Sequence, residues 1–231
     1  MSETIDVAEQ FDRISQVYDE TREPLKEAAV EKIKNTLLRD GCSSVVEVGV
    51  GTGRVAKPLQ ERNFEKAREK GVLRLMLADA DYLPLKNKSF DAAILAHVLQ
   101  IFENAAEVFG RIIGVVKKDV IALVRKRDDA RENDGNGVMR RIFEQASAEM
   151  GYALPECAGE WRRKENEFTA TVPPTELITI QDELIETSVD ERLSYFEKRA
   201  FRYSLDIPDE IIHKIIRGVR SSSDTEGKIS V

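Results

Sequence analysis

Apolar residues in the first forty positions recur three or four residues apart, which predicts helices. Phe11, Ile14 and Tyr18 belong to the first such run, and Ala28–Leu38 continues the pattern after a proline. Gly41 follows at once and is well placed to end the second helix. We therefore expect a helical segment over residues 1–40.

The next part of the chain alternates between short apolar runs and longer helical patterns. Helical stretches are predicted at Arg54–Lys70 and Glu103–Val116, and each lies between two runs of the strand type. Strand and helix in alternation predict a parallel sheet with crossover helices. The predicted strands are Ser44–Val48, Leu73–Ala78, Asp91–Ala96 and Val120–Val124.

The last third of the chain has a different pattern. Glu167–Val172 and Leu177–Ile185 alternate between apolar and polar residues on either side of a Pro-Pro turn, which predicts an antiparallel strand pair at the edge of the sheet. Helices are expected at about Val138–Met150, Val189–Arg202 and Pro208–Arg220. The segment from Ser221 onward is polar, and we expect it to be frayed.

The amino-acid composition and the net charge exclude several classes of protein. The 231 residues are 42% apolar and 33% charged, which is enough for a single good core. A net charge of −7 disfavours nucleic acids and anionic membranes as partners. Two cysteines form no disulfide framework, so we expect a cytoplasmic protein. Acidic first turns predict no secretion signal, and the longest apolar stretch, Ala92–Leu99, is far shorter than a membrane span.

A glycine turn follows the first predicted strand. Glu47–Arg54 reads Glu-Val-Gly-Val-Gly-Thr-Gly-Arg, and glycine at every second position lets the backbone bend sharply and approach a ligand. The helix that follows offers free N–H groups. Arg54 stands where a dinucleotide fingerprint would have its third glycine, and there is no Gly-Lys-Ser/Thr loop, so neither of those phosphate-binding patterns applies.

This turn resembles the first motif of class I S-adenosylmethionine-dependent methyltransferases, and its context strengthens the resemblance. Phe11–Arg22 is similar to the helical lid of small-molecule, methyltransferase-11-like members, Ala78–Leu85 to their adenine-binding segment, and Ser89–Leu99 to their fourth-strand motif. Glu197–Arg202 is similar to their C-terminal part. The resemblance therefore implies methyl transfer from S-adenosylmethionine to a small-molecule acceptor. We expect no metal, because the chain has no Cys–His pair at a metal-ligand spacing and no His-x-Glu signature.

The resemblance also implies a role for each matching residue. Carboxylates accept from N–H donors, while Arg and Tyr donate to carboxylates. Glu47 and the glycines would line the methionine side, Asp79 and the Ala80 backbone would bind adenine, the Ala96 carbonyl would accept from the ammonium, and Tyr18 or Arg22 would cap the carboxylate. The implied cofactor-binding residues are Tyr18, Arg22, Glu47, Gly49, Gly51, Gly53, Asp79, Ala80 and Ala96.

The spacing departs from the family at one point. Asp79 follows Gly53 by only 26 positions, which leaves room for one helix and one strand. We therefore expect a Rossmann-like, mostly parallel α/β sheet with helices on both faces that lacks the second strand and its ribose-binding acid. The expected single domain comprises a helical lid (1–40), a cofactor-binding core (41–127), a C-terminal cover with edge strands (128–220) and a flexible tail (221–231).

The chemistry of the acceptor side is less specific. His97 follows the fourth-strand motif and is the candidate base or substrate contact, with a hydrogen-bonded structural histidine as the alternative. Gln100 and Glu103 follow on the same approach and are candidate substrate contacts. The alternative function is a catalytically inactive binding or assembly module, which the missing ribose segment would favour. A tRNA or protein methyltransferase is disfavoured by the net charge.

Overall fold

The protein is described by a computed structural model over residues 7–22, 25–63, 75–124, 135–152, 157–181, 186–201, 204–222 and 228–230. The chain divides into two compact units. The sheet unit comprises Pro24–Arg125 and Trp161–Asp182. The helical unit comprises Met1–Glu23, Lys126–Glu160 and Glu183–Val231.

Helices and strands alternate through the described residues, with short 3-10 turns at Asp19–Thr21 and Ala80–Tyr82. In chain order the elements are α1 (Val7–Tyr18), α2 (Glu27–Arg39), β1 (Val45–Val48), α3 (Ala56–Asn63), β2 (Phe90–Ala96), α4 (Ala105–Val115), β3 (Val116–Leu123), α5 (Gly135–Glu149), α6 (Cys157–Thr171), β4 (Glu186–Ser188), α7 (Val189–Glu197), α8 (Asp209–Ser222) and β5 (Lys228–Ser230).

The sheet unit is built on three parallel strands in the order β1-β2-β3. Val48 at the end of β1 lies opposite Leu95 of β2, and Ala96 lies opposite Leu123 of β3. The carboxyl ends of all three strands therefore meet at one edge, as the βαβ pattern predicts. The α/β class and the parallel sheet are confirmed.

Helices cover both faces of this sheet because β2 is apolar on both sides. Successive strand residues point to opposite faces, and Asp91–Leu95 is buried throughout. Ala92 and Ile94 pack in one cluster with residues of α2 and α3. Ala93 and Leu95 pack in a second cluster with α4 and with Phe168 of α6.

Helix α2 ends where the sequence predicts. It buries Ala29, Val30, Ile33 and Leu37 along one face, and Gly41 then adopts the left-handed conformation with φ +63°. The Cys42 N–H donates to the Leu37 carbonyl at 2.8 Å, which closes the helix. Lys118 Nζ donates to the carbonyls of Asp40 and Gly41 at 2.9 and 2.6 Å, so a cation also covers this C-terminus.

Asp91, the second residue of β2, holds the segment that precedes β1 in place through hydrogen bonds. Its Oδ2 accepts from the Ser43 N–H at 2.9 Å, the Ser43 hydroxyl at 2.7 Å and the Ser44 N–H at 3.0 Å. Lys117 Nζ donates to its Oδ1 at 3.0 Å. These donors hold the pKa of Asp91 well below its usual range. The carboxylate is thus a buried, satisfied anchor at the amino end of the sheet.

Two strand predictions are wrong in position. Residues 75–78 of the predicted strand Leu73–Ala78 have no regular structure. The start of that run lies outside the described residues, as do residues 64–74 of the interval where a second strand is expected to be missing. Strand β3 begins at Val116, four residues earlier than predicted, with no turn after α4. Lys88 Nζ makes this junction possible by donating to the carbonyls of Ile113 and Val116 at 3.1 and 2.6 Å.

The antiparallel pair predicted for Glu167–Val172 and Leu177–Ile185 is also wrong. Most of the first run belongs to helix α6, where the Val172 N–H donates to the Phe168 carbonyl at 2.8 Å. Phe168 packs edge-on against Phe109 of α4 at 5.2 Å between ring centroids, and this burial outweighs a weak alternation. Residues 177–181 form no strand.

An antiparallel pair does occur in the helical unit, between β4 and β5. Strand β5 lies within the segment predicted as a flexible tail, and Thr187 pairs with Ile229 in its register. The core of this unit is formed by α5, α7 and α8, where Phe143 and Phe196 stack at 4.0 Å between ring centroids. Within the described residues, none of the helices is both long and apolar enough to cross a membrane.

Replacement of Asp91 by Asn tests the anchor. We expect Asp91→Asn to lower the free energy of unfolding by about 2–3 kcal/mol at neutral pH, because charge-assisted hydrogen bonds are lost inside the protein. The carboxyl pKa is depressed on folding, so its stabilisation is present above the unfolded pKa and fades as the pH falls below about 4.

Urea unfolding between pH 3 and pH 7 measures this effect. Exposed Asp12→Asn is the matched control, since the Asp12 side chain lies at the surface of α1. Equal stability of the two variants at pH 7 would contradict the anchoring role.

Candidate functional site

The glycine turn lies at the carboxyl edge of the sheet, between β1 and α3. Gly49, Gly51 and Gly53 have φ values of +74°, +51° and +84°, a conformation that side chains with a Cβ rarely adopt. A Cβ on Gly49 would come within 2.4 Å of Val98 Cγ1. The turn that follows β1 is therefore pressed against the turn that follows β2, and only glycine permits this approach.

Glu47 sits on β1 beneath this loop. Its carboxylate accepts from the N–H of Ala56 at the start of α3, and burial raises the pKa of Glu47 to about 7 against the opposing effect of that hydrogen bond. Among the residues that the structure describes, its Oε2 has no hydrogen-bond partner and is closed to solvent. The site thus holds a buried carboxylate with one unsatisfied oxygen.

The residues at the end of β2 lie on the other side of the contact between the two turns. Ala96 is its last residue, and exposed His97 follows with φ +54°. The His97 N–H donates to the Leu123 carbonyl at 3.1 Å, which continues the pairing with β3. Gln100 Nε2 donates to the His97 carbonyl at 2.7 Å. Its Oε1 is buried and, within the described part of the chain, has no hydrogen-bond partner.

Asp79 and Ala80 lie where the chain approaches the next turn. Asp79 is exposed and caps the 3-10 turn Ala80–Tyr82, because its Oδ1 accepts from the Asp81 N–H at 2.9 Å. Asp81 in turn pairs with Arg111 of α4. The cap and the ion pair hold this segment in place within the sheet unit. The adenine contacts of Asp79 and Ala80 stay predictions.

A shallow cavity of about 280 Å³ adjoins the same segment. It lies between the 3-10 turn and the C-terminal half of α4, and it contains neither the glycine loop nor Asp79. It is lined by Asp81, Tyr82, Leu83, Leu85, Asn87, Arg111, Gly114 and Val115. This cavity therefore does not coincide with the site that the sequence predicts.

Tyr18 and Arg22 belong to the helical unit. The Arg22 guanidinium lies 5.1 Å from the Tyr18 ring centroid and 5.6 Å from that of Phe201, which is the geometry of a cation–π contact. Arg22 also donates to the carbonyls of Thr21 and Ala200 at 3.1 and 3.0 Å. Two segments singled out in the sequence analysis, near residues 20 and 200, are thus in contact. Their role toward a cofactor carboxylate stays a prediction.

The structure brings together Glu47, the glycines, Ala96 and His97 at one edge of the sheet unit. Sequence reasoning did not single out Val98, whose side chain fills the space that Gly49 leaves open. Its sequence signal is its place in the apolar stretch Ala92–Leu99 and in the Ser89–Leu99 motif, two residues beyond the end of the predicted strand. No group of three or more potential metal ligands from His, Cys, Asp and Glu occurs in the described ranges.

Comparisons with known proteins agree with this location. The family described as "Methyltransferase domain" matches residues 46–124, which contain the glycine turn, β2, α4 and β3. An uncharacterized protein of Methanocaldococcus jannaschii is 27% identical over 118 residues, an alignment that covers 47% of this chain and 56% of that protein. The chain thus spans little more than half the length of this relative.

Solved structures with similar folds include methyltransferases. A SAM-dependent methyltransferase of Thermotoga maritima, described as a possible histamine N-methyltransferase, is 23% identical with a TM-score of 0.41, over 68% of this chain and 79% of that one. The YcgJ protein of Bacillus subtilis is 16% identical with a TM-score of 0.46, over 89% and 94% of the two chains. The parallel sheet and the glycine turn at its carboxyl edge lie within residues 46–124, the part of this chain that is similar to the methyltransferase domain family.

Proposed function

We propose that this protein transfers a methyl group from S-adenosylmethionine to a small-molecule acceptor. The observation that carries the proposal is the contact between Gly49 and Val98 at the carboxyl edge of a parallel sheet. Open α/β sheets bind ligands at this edge. The contact lies inside the segment that matches the methyltransferase domain family.

The residues present fit the cofactor chemically. S-adenosylmethionine carries an ammonium group, and the buried Oε2 of Glu47 is an acceptor that the described residues leave unsatisfied. Gly49, Gly51 and Gly53 all have positive φ, and at Gly49 the space of a Cβ is taken by Val98. Gly51 and Gly53 have open surroundings, with no atom closer than 3.9 Å to a Cβ position. A carboxylate beside a glycine cradle suits a cationic, closely approaching ligand.

When bound, the sulfonium supplies the methyl group for an in-line displacement, which needs positioning more than acid–base chemistry. The protein's part is therefore to hold and orient. The glycine loop and Glu47 would bind the methionine end, and Asp79 with Ala80 would bind the adenine. His97, exposed at the carboxyl end of β2, would take the proton from an acceptor that must lose one.

The small-molecule nature of the acceptor rests on the sequence. The acidic net charge of −7 opposes a polyanionic substrate. The cytoplasmic location that the sparse cysteines predict belongs to the same proposal, and buried Cys42 is free.

Gly51→Val tests the loop directly. Valine is strained at φ +51° and places methyl groups in the cradle, so we expect loss of S-adenosylmethionine affinity by at least 30-fold in calorimetric titration. Gly151→Val is the matched control, because Gly151 has φ +74° and open surroundings in the helical unit. It bears the same backbone strain without touching the loop. An equal loss in both variants would make the effect one of stability and contradict the cofactor site.

Substitutions of Asp79 distinguish its proposed contact with adenine from its role as the cap of the 3-10 turn. We expect Asp79→Ala and Asp79→Ser each to weaken S-adenosylmethionine binding about tenfold, because both remove the carboxylate that accepts from the adenine amino group. Serine still caps the turn. Asp81→Ala is the matched control two residues away. If Asp79→Ser binds like the wild type, the carboxylate serves only as a cap.

The raised pKa of Glu47 predicts that cofactor affinity depends on pH. Its pKa is raised to about 7, so the carboxyl is largely protonated at pH 5.5 and ionised at pH 8. The ammonium group of the ligand favours the ionised form of Glu47, so we expect affinity for S-adenosylhomocysteine to fall up to tenfold for each pH unit below 7. Titrations between pH 5.5 and 7.5 measure this slope. Glu47→Gln should make the profile flat, and an unchanged slope in that variant would exclude Glu47 as its cause.

A further inference from the structure

Two hydrogen bonds fix the backbone of His97, the first residue after β2. The His97 N–H donates to the Leu123 carbonyl of β3 at 3.1 Å. On the other side, the His97 carbonyl accepts from Gln100 Nε2 at 2.7 Å. The peptide groups before and after His97 are both planar and both held. The direction in which its Cα–Cβ bond leaves the backbone is therefore set by β3 and by the Gln100 side chain.

The fold keeps this arrangement at a cost in free energy. His97 has φ +54°, which is uncommon for a residue with a Cβ. Gln100 Oε1 is buried and has no hydrogen-bond partner among the residues that the structure describes. Rotation of the amide by 180° would place two acceptors against each other, so this oxygen stays unsatisfied for as long as the bond to His97 exists.

A turn with no role beyond its shape would avoid both costs. Glycine at position 97 would adopt the same φ without strain, and an apolar side chain at position 100 would leave no acceptor buried. Strained residues and unsatisfied buried groups are concentrated at functional sites. The pair His97 and Gln100 is therefore better explained by the side chain that the turn presents than by the turn itself.

The His97 side chain points out of the protein next to the glycine loop. It is exposed, whereas Val98 and Leu99 after it are buried. A Cβ on Gly49 would come within 2.4 Å of Val98 Cγ1, so the residue next to His97 touches the loop. An imidazole at this edge of the sheet can accept a proton near neutral pH.

We propose that Gln100 is a positioning residue, which acts through the backbone of His97 and holds the His97 imidazole toward the methyl group to be transferred. This inference rests on the proposed function. Gln100 itself touches neither cofactor nor acceptor. The imidazole held in this way takes the proton that the acceptor loses when it gains the methyl group. Orientation matters here because small displacements of a reacting group strongly lower the rate.

Chemical modification of histidine tests the proposal without knowledge of the methyl acceptor. Diethyl pyrocarbonate adds a carbethoxy group to neutral, accessible imidazoles, and mass spectrometry of the peptides reports each site. The chain has only two histidines. His213 lies exposed on α8 in the helical unit and is the internal reference. With S-adenosylmethionine at about ten times its Kd, we expect modification of wild-type His97 to slow roughly tenfold and that of His213 to stay unchanged.

Gln100→Met removes the donor and keeps the size of the side chain. We expect protection of His97 in this variant to fall below about twofold at the same fractional occupancy of the cofactor, because the imidazole is no longer held toward it. The Kd for S-adenosylmethionine in calorimetric titration should not change. Gln100→Glu, which cannot donate when ionised, should behave in the same way and replaces Gln100→Met if that variant does not fold.

Gln145→Met is the matched control, because Gln145 lies exposed on α5 and donates to Glu149 at 3.1 Å. It should keep full protection of His97. Thermal unfolding of all variants checks that each one is folded.

Four results would overturn the proposal, and they differ from one another. Full protection of His97 in folded Gln100→Met would show that Gln100 serves only the stability of the turn. A weaker Kd in that variant would make Gln100 part of cofactor binding instead. If wild-type protein binds S-adenosylmethionine without protecting His97, the imidazole does not face the methyl group. If folded wild-type protein does not bind S-adenosylmethionine at millimolar concentration, the proposed function fails and this inference fails with it.

Discussion

The parallel pairing of β1 and β2 is the constraint on which the rest of the site depends. With Val48 opposite Leu95, both strands leave the sheet at the same edge, and the turns that follow them must share one space. They do so only because Gly49 lacks a Cβ, which would otherwise lie 2.4 Å from Val98. Real Cβ contacts are about 1 Å longer. The same pairing places Glu47 opposite Ile94.

Two carboxylates on these neighbouring strands, buried Asp91 and half-buried Glu47, differ in how far the fold satisfies them. Asp91, near the amino end of β2, accepts three hydrogen bonds from Ser43 and Ser44 and pairs with Lys117. Glu47, toward the carboxyl end of β1, accepts from a single backbone N–H and keeps one oxygen unsatisfied. Donors lower the pKa of the first carboxyl and burial raises that of the second. The fold thus satisfies one carboxylate and leaves the other with an oxygen that has no partner among the described residues.

The family match lies wholly within the sheet unit, while the helical unit gathers segments from both ends of the chain. Arg22 contacts Tyr18 from its own segment and Phe201 from the far end. Lys198 pairs with Glu20 at 2.8 Å in the same way. These contacts bring together two regions that are distant in sequence, near residues 20 and 200. Each supplies half of one packed arrangement.

The sequence alone determined what local chemistry controls: helix α2 and its end at Gly41, the glycine turn after β1, and the apolar run of β2 that requires cover on both faces. Only the tertiary structure decided the features that depend on distant partners. Helix α6 replaces a predicted strand because Phe168 packs against Phe109. Strand β3 begins at Val116, where Lys88 donates to the carbonyls of Ile113 and Val116 across the junction with α4. The unsatisfied oxygens of Glu47 and Gln100 arise likewise from burial by other elements, and no local pattern records burial of that kind.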